Sequence, residues 1–471
     1  MISWYTISRS LLLSSCLLSF LVGQAQDSSI SPYSRFGLGD LNPGGFVAQN
    51  ALSGSGVAFI ENTQVNPLNP VSAAYMNSPG FQFGVLSEHG TFSSDEQTAN
   101  NSLTRFDHFA VGIPLRKGRW GASFGLYPYT TIGYTSESET VVSDSIPQTS
   151  EYLGEGGLNK MFLDIGKRLV VIKDTSKYAQ HTELALGVEL SYLFGSIRSI
   201  RNSLFPGQPG FFNARLSNTT TVNDVGLGGG LLFRHPLKKR SVKDPSSVIL
   251  NFGSKFETGG RYRAEQSQDY FTFVQNASGL ESARDSVTSF IGRSGEVDIP
   301  YTWRIGTSME FFHRQREGNS LRRWVVGLDY VLRPWGDLST SFESGLSLSG
   351  LADGSTLSVG GVYQPDAEYR RGSRGNILNM ATYRAGAYIG DSFLAPAGQT
   401  LDESGMSFGM SIPLLVGGLR RSETNLDWSV SYHNRGSQSD GLIEERFLRV
   451  MVGFSFHPER FDRWFQKRKY D

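Results

Sequence analysis

The sequence predicts an all-β chain, a transmembrane antiparallel β-barrel of about fourteen strands with an N-terminal hatch, on three observations. Apolar residues alternate with small or polar ones in segment after segment. Glycine and aromatic residues (54 Gly, 31 Phe and 19 Tyr) are spread over the whole length, which suits many strands joined by tight turns. The links between segments alternate in length, as hairpins at two opposite ends of a barrel do. No uninterrupted apolar run reaches the ~20 residues of a spanning helix.

Residues 1–25 read as an export signal. Arg9 supplies a positive start, "LLLSSCLLSFLVG" is an apolar stretch, and "GQA" offers small residues for cleavage after Ala25. Cys16, the single cysteine, falls inside this segment, so disulfides and thiol chemistry are not expected of the processed chain. Residues 26–78 are rich in Gly, Pro, Asn and Ser with scattered aromatics and Asn-Pro turns, and break the alternating pattern. A segment of this kind ahead of a barrel is expected to fold into its lumen.

Residues 79–456 carry the strands. "LALGVELSYLF" puts Leu184, Leu186, Val188, Leu190, Tyr192 and Phe194 on one face, with Ala185, Gly187, Glu189 and Ser191 on the other. "RWVVGLDYV" and "RFLRVMVGFSF" repeat the pattern. The small and polar face suits a crowded lumen and the apolar face suits lipid. Closing the sheet leaves no backbone group unpaired in hydrocarbon. The segments lie near 79–87, 104–115, 119–129, 157–171, 182–195, 221–234, 246–258, 297–311, 322–334, 353–363, 379–389, 404–414, 424–434 and 444–456. Long links are expected around 130–156, 196–220 and 259–296, and short ones such as "RKGR" at the other end. That asymmetry predicts a bacterial outer-membrane location with both termini and the short turns in the periplasm.

Residues 457–471 form a tail of cations and aromatics. Although 44 Lys and Arg balance 44 Asp and Glu, the cations concentrate at the short turns and the tail. Lys238, Lys239, Arg240, Lys467, Arg468 and Lys469 are the expected basic periplasmic surface. It would anchor against lipid phosphates or receive an acidic periplasmic or outer-membrane protein.

"VNPLNPVSAAY" (65–75), "GEGGLNKMFLDIGKRL" (154–169), "VDIPYTWRIGTSM" (297–309), "GLDYVLRPWGDL" (327–338) and "MATYRAGAYIG" (380–390) occur in an order that resembles the FadL-like outer-membrane proteins. These are long-chain fatty acid and hydrocarbon transporters. The "SPYSRFGLGDL" start and the "DRWFQKRKYD" end are similar to the Bacteroidetes branch, which includes PorV-like barrels. The resemblance implies a hatch closing with Asn66, Pro67, Asn69 and Pro70. It also implies a hydrophobic ligand that leaves sideways through a strand defect. PorV-like relatives instead serve secretion or envelope machines as subunits.

Candidate lumen charges are Asp107, Glu183, Glu189, Asp298, Arg304, Asp329, Arg384 and Asp427. Opposite signs among them would pair with each other and tie down the hatch. Pro128 and Pro300 are the candidate strand defects, because proline inside a span removes a ladder donor. His433, Ser431 and Asp427 share a strand face, but no nucleophile elbow, phosphate loop, dinucleotide fingerprint or metal-ligand spacing occurs. The chain is therefore read as a non-enzyme without cofactor, metal or nucleic-acid partner. Two functions follow: a conduit for hydrophobic small molecules, or a non-transporting barrel in an envelope secretion or assembly complex.

Overall fold

The computed structural model describes residues 29–457, apart from 43, 117, 143–145, 177–179, 209, 242–243, 245, 277–278, 315–320, 344, 367–376, 415–423 and 439–440. Residues 1–25, the expected export signal, and the tail residues Lys467, Arg468 and Lys469 lie outside the described residues.

A two-residue strand, β1 (Asp40–Leu41), belongs to the N-terminal segment. The wall begins with β2 (Gly80–Ser93), β3 (Thr98–Arg116), β4 (Trp120–Val142) and β5 (Ile146–Ile172). It continues through β6 (Thr182–Leu204), β7 (Asn213–Lys238) and β8 (Ser247–Glu257). A hairpin of β9 (Gly260–Gln275) and β10 (Glu281–Ile299) then rises beyond it. The wall resumes with β11 (Thr302–Arg314) and β12 (Leu321–Arg333), followed by the short β13 (Ser339–Thr340) and β14 (Gly354–Gln364). It ends with β15 (Thr382–Asp391), β16 (Asp402–Leu414), β17 (Thr424–Arg435) and β18 (Glu444–Phe456). β8 pairs with β11, β12 with β14, and β18 returns to β2 from Phe456↔Phe81 to Glu444↔Ser93. Fourteen strands thus close an antiparallel barrel, the number the alternating segments predict.

Closure satisfies the backbone, and the pleat sorts the side chains. Leu186, Val188, Val326 and Phe454 point outward and stay 48%, 62%, 52% and 37% exposed, while Glu189 and Asp329 on the opposite parity are buried. An apolar outer face over a polar interior inverts a water-soluble sandwich, and its solvent is acyl chain.

Two expectations are corrected. The links around 130–156, 196–220 and 259–296 are mostly ladder rather than loop: β5 and β6 pair from Val170↔Glu183 up to Thr149↔Leu204, and β9 pairs with both β7 and β10. Thr, Val, Tyr and Ser run through these stretches and favour continued pairing above the membrane. Asp298 is not lumenal. Val297 and Ile299 point inward into an apolar cluster, and the Asp298 side chain, 47% exposed, lies 3.8 Å from Arg261. The break at Pro300–Tyr301 shifts the inward parity, so the even-numbered phase of Arg304 does not extend back across it.

That break belongs to a crease crossing several neighbouring strands. β4 changes register against β5 between Pro128 and Thr130, and β5 bends at Gly156 and Gly157, with φ of +104° and +139°. β7 pairs with β8 only from Gly228 and with β9 only up to Val222. Below the crease β3 and β4 pair from Phe109↔Leu126 to Arg116↔Trp120. Above it β4 takes β1 instead, through Asp40↔Thr131 and Leu41↔Thr130, with Asn42 N–H donating to Tyr129 O at 3.0 Å. Upper β3 and upper β4 are thus left as a seam.

Leu186→Arg tests the membrane face. A cation on the lipid side near mid-bilayer costs about 2–4 kcal/mol. Unfolding of the vesicle-inserted barrel in guanidinium is expected to show a loss of that order. An unchanged midpoint would place Leu186 away from lipid.

Candidate functional site

The N-terminal segment packs against the inward-facing side of the wall, whose glycines are placed to admit it. A methyl group on Gly121 would lie 2.0 Å from Ala73 O, on Gly253 2.4 Å from Val57 O, and on Gly386 2.4 Å from the Leu52 carbonyl. Gly187 and Gly230 give the same clearance to Pro70. These glycines face one another across the ladder, with Gly121↔Gly166, Gly166↔Gly187 and Gly187↔Gly230 in one row. Only hydrogen on the inner face lets the segment's backbone come this close.

Hydrogen bonds fix what the glycines admit. Asn66 Nδ2 donates to Gly56 O (2.7 Å), and Asn66 Oδ1 accepts from Leu68 N–H. Asn69 Nδ2 donates to Val57 O (2.8 Å) and Leu231 O (3.1 Å), while Lys255 Nζ donates to Pro67 O (2.9 Å). The four Asn and Pro residues therefore make the segment's own turn and attach it to β7 and β8. Asp329 accepts from the N–H groups of Gly56 and Val57, both at 2.8 Å, and Arg304 Nη1 donates to Gly54 O at 2.7 Å. Arg384 makes a two-point contact with Glu61 at 2.8 Å, and Asp427 accepts from Gln64 Nε2 at 2.9 Å. Bonds to a charged partner contribute about 1.5–3 kcal/mol each.

The remaining candidate charges pair within the wall. Glu189 joins Lys160 (2.6 Å) and Lys255 (2.7 Å), and both lysines also reach Glu257 at 3.0 and 2.6 Å. The result is a closed ring of two cations and two anions. Glu183 receives Arg168, and Asp107 lies 2.7 Å from His108. Lys160, Lys255 and Glu257 of this ring are charges that sequence reading missed, as are Glu310, 3.1 Å from Arg234, and Arg435, 2.8 Å from Asp40. Lys160 shares inward parity with Asp164 and Gly166 in "NKMFLDIG", a legible signal. The others depend on which strands meet across the lumen.

His433 and Ser431 do come together, with Nε2 2.8 Å from Oγ. The other ring nitrogen meets Tyr388 OH at 3.0 Å, and Asp427 is engaged by Gln64 and Ser455. The three do not form a relay.

Lys238 and Lys239 sit beside acids of the short links, Asp244 at 2.7 Å and Asp174 at 3.6 Å. Arg240 N–H donates to Gln180 Oε1. Backbone hydrogen bonds from Gln180 and Ser176 hold the Asp174 carboxyl below the usual carboxylate range, so its contribution is present at neutral pH and is lost as pH falls.

Pro128 stands where the β3–β4 ladder has ended, and Pro300 in the gap between β10 and β11. Behind β1 lies a chamber of about 120 Å3, lined by Asp40 and Leu41 together with Arg304, Arg333, Tyr388, His433, Arg435 and Arg449 among others. Its lining mixes these charged side chains with apolar surface from Leu41, Val331, Phe393 and Phe447. A large apolar cluster lies at the long-hairpin end, where Tyr33, Phe36 and Leu38 pack with Trp335, Phe342, Phe393 and Leu394.

The family model described as BamG matches residues 7–471. Three solved structures align at low identity. A Pseudomonas aeruginosa FadL homologue is 12% identical over 89% of this chain and 99% of that one, TM-score 0.49. The P. putida toluene transporter TodX is 13% identical over 89% and 100%, TM-score 0.49. The CymD monoaromatic hydrocarbon channel is 14% identical over 90% and 99%, TM-score 0.45. A search of curated proteins finds no match.

Asp329→Ala removes the acceptor for two backbone donors and the carboxylate that lies 4.0 Å from Arg304. Breaking a buried pair from one side costs about 3–5 kcal/mol. The variant is expected to melt earlier and to expose residues 50–60 to protease, read by limited proteolysis of the purified barrel. Protection equal to wild type would show that Asp329 does not hold the segment.

Proposed function

We propose that this chain, which belongs to the BamG family, is a conduit for hydrophobic small molecules in a bacterial outer membrane, with the N-terminal segment as its hatch and both termini in the periplasm. The observation that carries this reading is the seam. Above Phe109↔Leu126 the wall between β3 and β4 has no ladder, and the β4 edge is covered instead by the N-terminal segment through β1, Asn42 and Ser34. A spanning sheet otherwise leaves no edge unpaired, because an unpaired backbone group in hydrocarbon costs several kcal/mol. Interrupting the ladder at Pro128 therefore serves passage between lumen and bilayer. The outward aromatics Phe106, Phe109 and Phe124 offer an apolar threshold beside it. Release of β1 from Thr130 and Thr131 is the opening step.

Leu41 and Thr130 are ladder partners, and Cys16 is the only native cysteine. The Leu41→Cys/Thr130→Cys variant is expected, when oxidised, to reduce uptake of a monoaromatic probe such as toluene to the level of cells lacking the protein. Reduction should restore it. Wild-type uptake by the oxidised, cross-linked variant would overturn the conduit.

A second reading, a non-transporting subunit of an envelope complex, is favoured by how firmly the glycine row and the ion pairs hold the segment. Its partner would be an acidic protein facing Lys238–Arg240. Charge reversal at 238–240 is then expected to change which proteins co-purify while the barrel still assembles; an unchanged set would remove this reading.

A further inference from the structure

We propose that the chamber behind β1 is a binding site for a small monocarboxylate, with the Arg333 guanidinium as its counter-ion. Four guanidinium groups line this space, and three have acids. Arg435 donates to Asp40 Oδ1 (2.8 Å) and to Glu445, Arg449 reaches Glu88, and Arg304 lies 4.0 Å from Asp329. Arg333 differs. Its one hydrogen bond is from Nη1 to Thr356 Oγ1 at 3.2 Å, and no carboxylate among the described residues lies within 4.0 Å of it. It lines both this chamber and a smaller adjoining space of about 50 Å3 bounded by Pro67, Tyr127, Tyr129 and Lys255.

A guanidinium presents five donors in a planar fork that matches a carboxylate. Half-buried and with no described carboxylate within 4.0 Å, it is a site for an anion, since a partly desolvated guanidinium gains from a charge-assisted hydrogen bond. A second unmet group shares the lining: Asn434 Oδ1 is buried with no hydrogen-bond donor. A ligand with one anionic end and one hydroxyl would meet both.

Size and charge narrow the class. The chamber, about 120 Å3, is smaller than the roughly 150 Å3 cavity that accepts benzene. It fits a carboxylate of propionate or lactate dimensions and not a long chain. Glu403 also lines it, so a dianion such as phosphate would meet about twice the repulsion that a monoanion meets. Asp40 and Leu41 belong to the lining, so exchange runs past β1. The site follows from the unpaired arginine alone and stands whether or not a hydrophobic cargo crosses the barrel.

The test uses the full chain purified in detergent, followed by the temperature at which the folded band on a semi-native gel converts to the unfolded one. Sodium propionate is expected to raise that temperature saturably. Propionamide, the neutral isostere, and sodium chloride at equal ionic strength should not. Arg333→Met, still running as a folded band, is expected to lose the response. Equal stabilisation by propionamide, no propionate effect on the wild-type chain, or a full response in folded Arg333→Met would each overturn the proposal. The comparison of propionate with propionamide needs no variant, so a misfolded Arg333→Met leaves the test intact.

Discussion

Glycine on the inner wall is the constraint on which the rest of this structure depends. A fourteen-strand barrel encloses more space than its own side chains fill, and here the N-terminal segment packs against its inward face. The segment's carbonyls approach the wall to distances that a single methyl group would forbid, as Ala73 does at Gly121 and Leu52 at Gly386. Because the glycines stand opposite one another on neighbouring strands, they form a smooth track rather than isolated gaps. Strand interiors ordinarily disfavour glycine for its entropy and its lack of a packing side chain. Ladder closure and lipid-facing apolar partners on the other parity compensate for that loss.

Once the backbone is this close, polarity follows. The segment has little regular secondary structure, so its N–H and C=O groups need partners from the wall. Asp329, Arg304, Lys255 and Arg323 supply them, the last by donating to Ile60 O at 2.7 Å. Buried ion pairs seldom add stability over apolar packing, but they fix geometry, and each of these contacts has only one orientation that satisfies it. The most extensive apolar cluster among the described residues is at the long-hairpin end, where the links after β12 and β15 fold inward over Tyr33 and Phe36. Smaller apolar clusters, such as Val57, Val71 and Tyr75 against Leu232 and Phe46 and Met76 against Phe162, lie among the polar contacts elsewhere along the segment.

The wall was legible in the sequence because period two is a local property. Leu186, Val326 and Phe454 announce their face by their immediate neighbours. The extended hairpins were less so, since the composition of 130–156 suits a loop and a strand alike. Asp298 shows a sharper limit. Parity is a safe guide only while the ladder is continuous, and Pro300 interrupts it between Asp298 and Arg304. The ring of Lys160, Glu189, Lys255 and Glu257 gathers residues from β5, β6 and β8, and nothing in any one segment states that they meet.

The crease ties these observations together. Pro128, Gly156 and Gly157, and the 258–259 and 300–301 breaks all fall along one line across neighbouring strands, below the tall hairpin panel. Above that line the panel is free of the barrel's curvature, and β4 parts from β3. The gap is closed not by the wall but by β1, two residues long and anchored on one side by Arg435 through Asp40. A seam held by so few backbone bonds is the least secured stretch of an otherwise continuous sheet. A change in lumenal charge near Arg435 would therefore be felt first at Asp40↔Thr131. Chamber and seam are mechanically one site, because the same residue that lines the first covers the second.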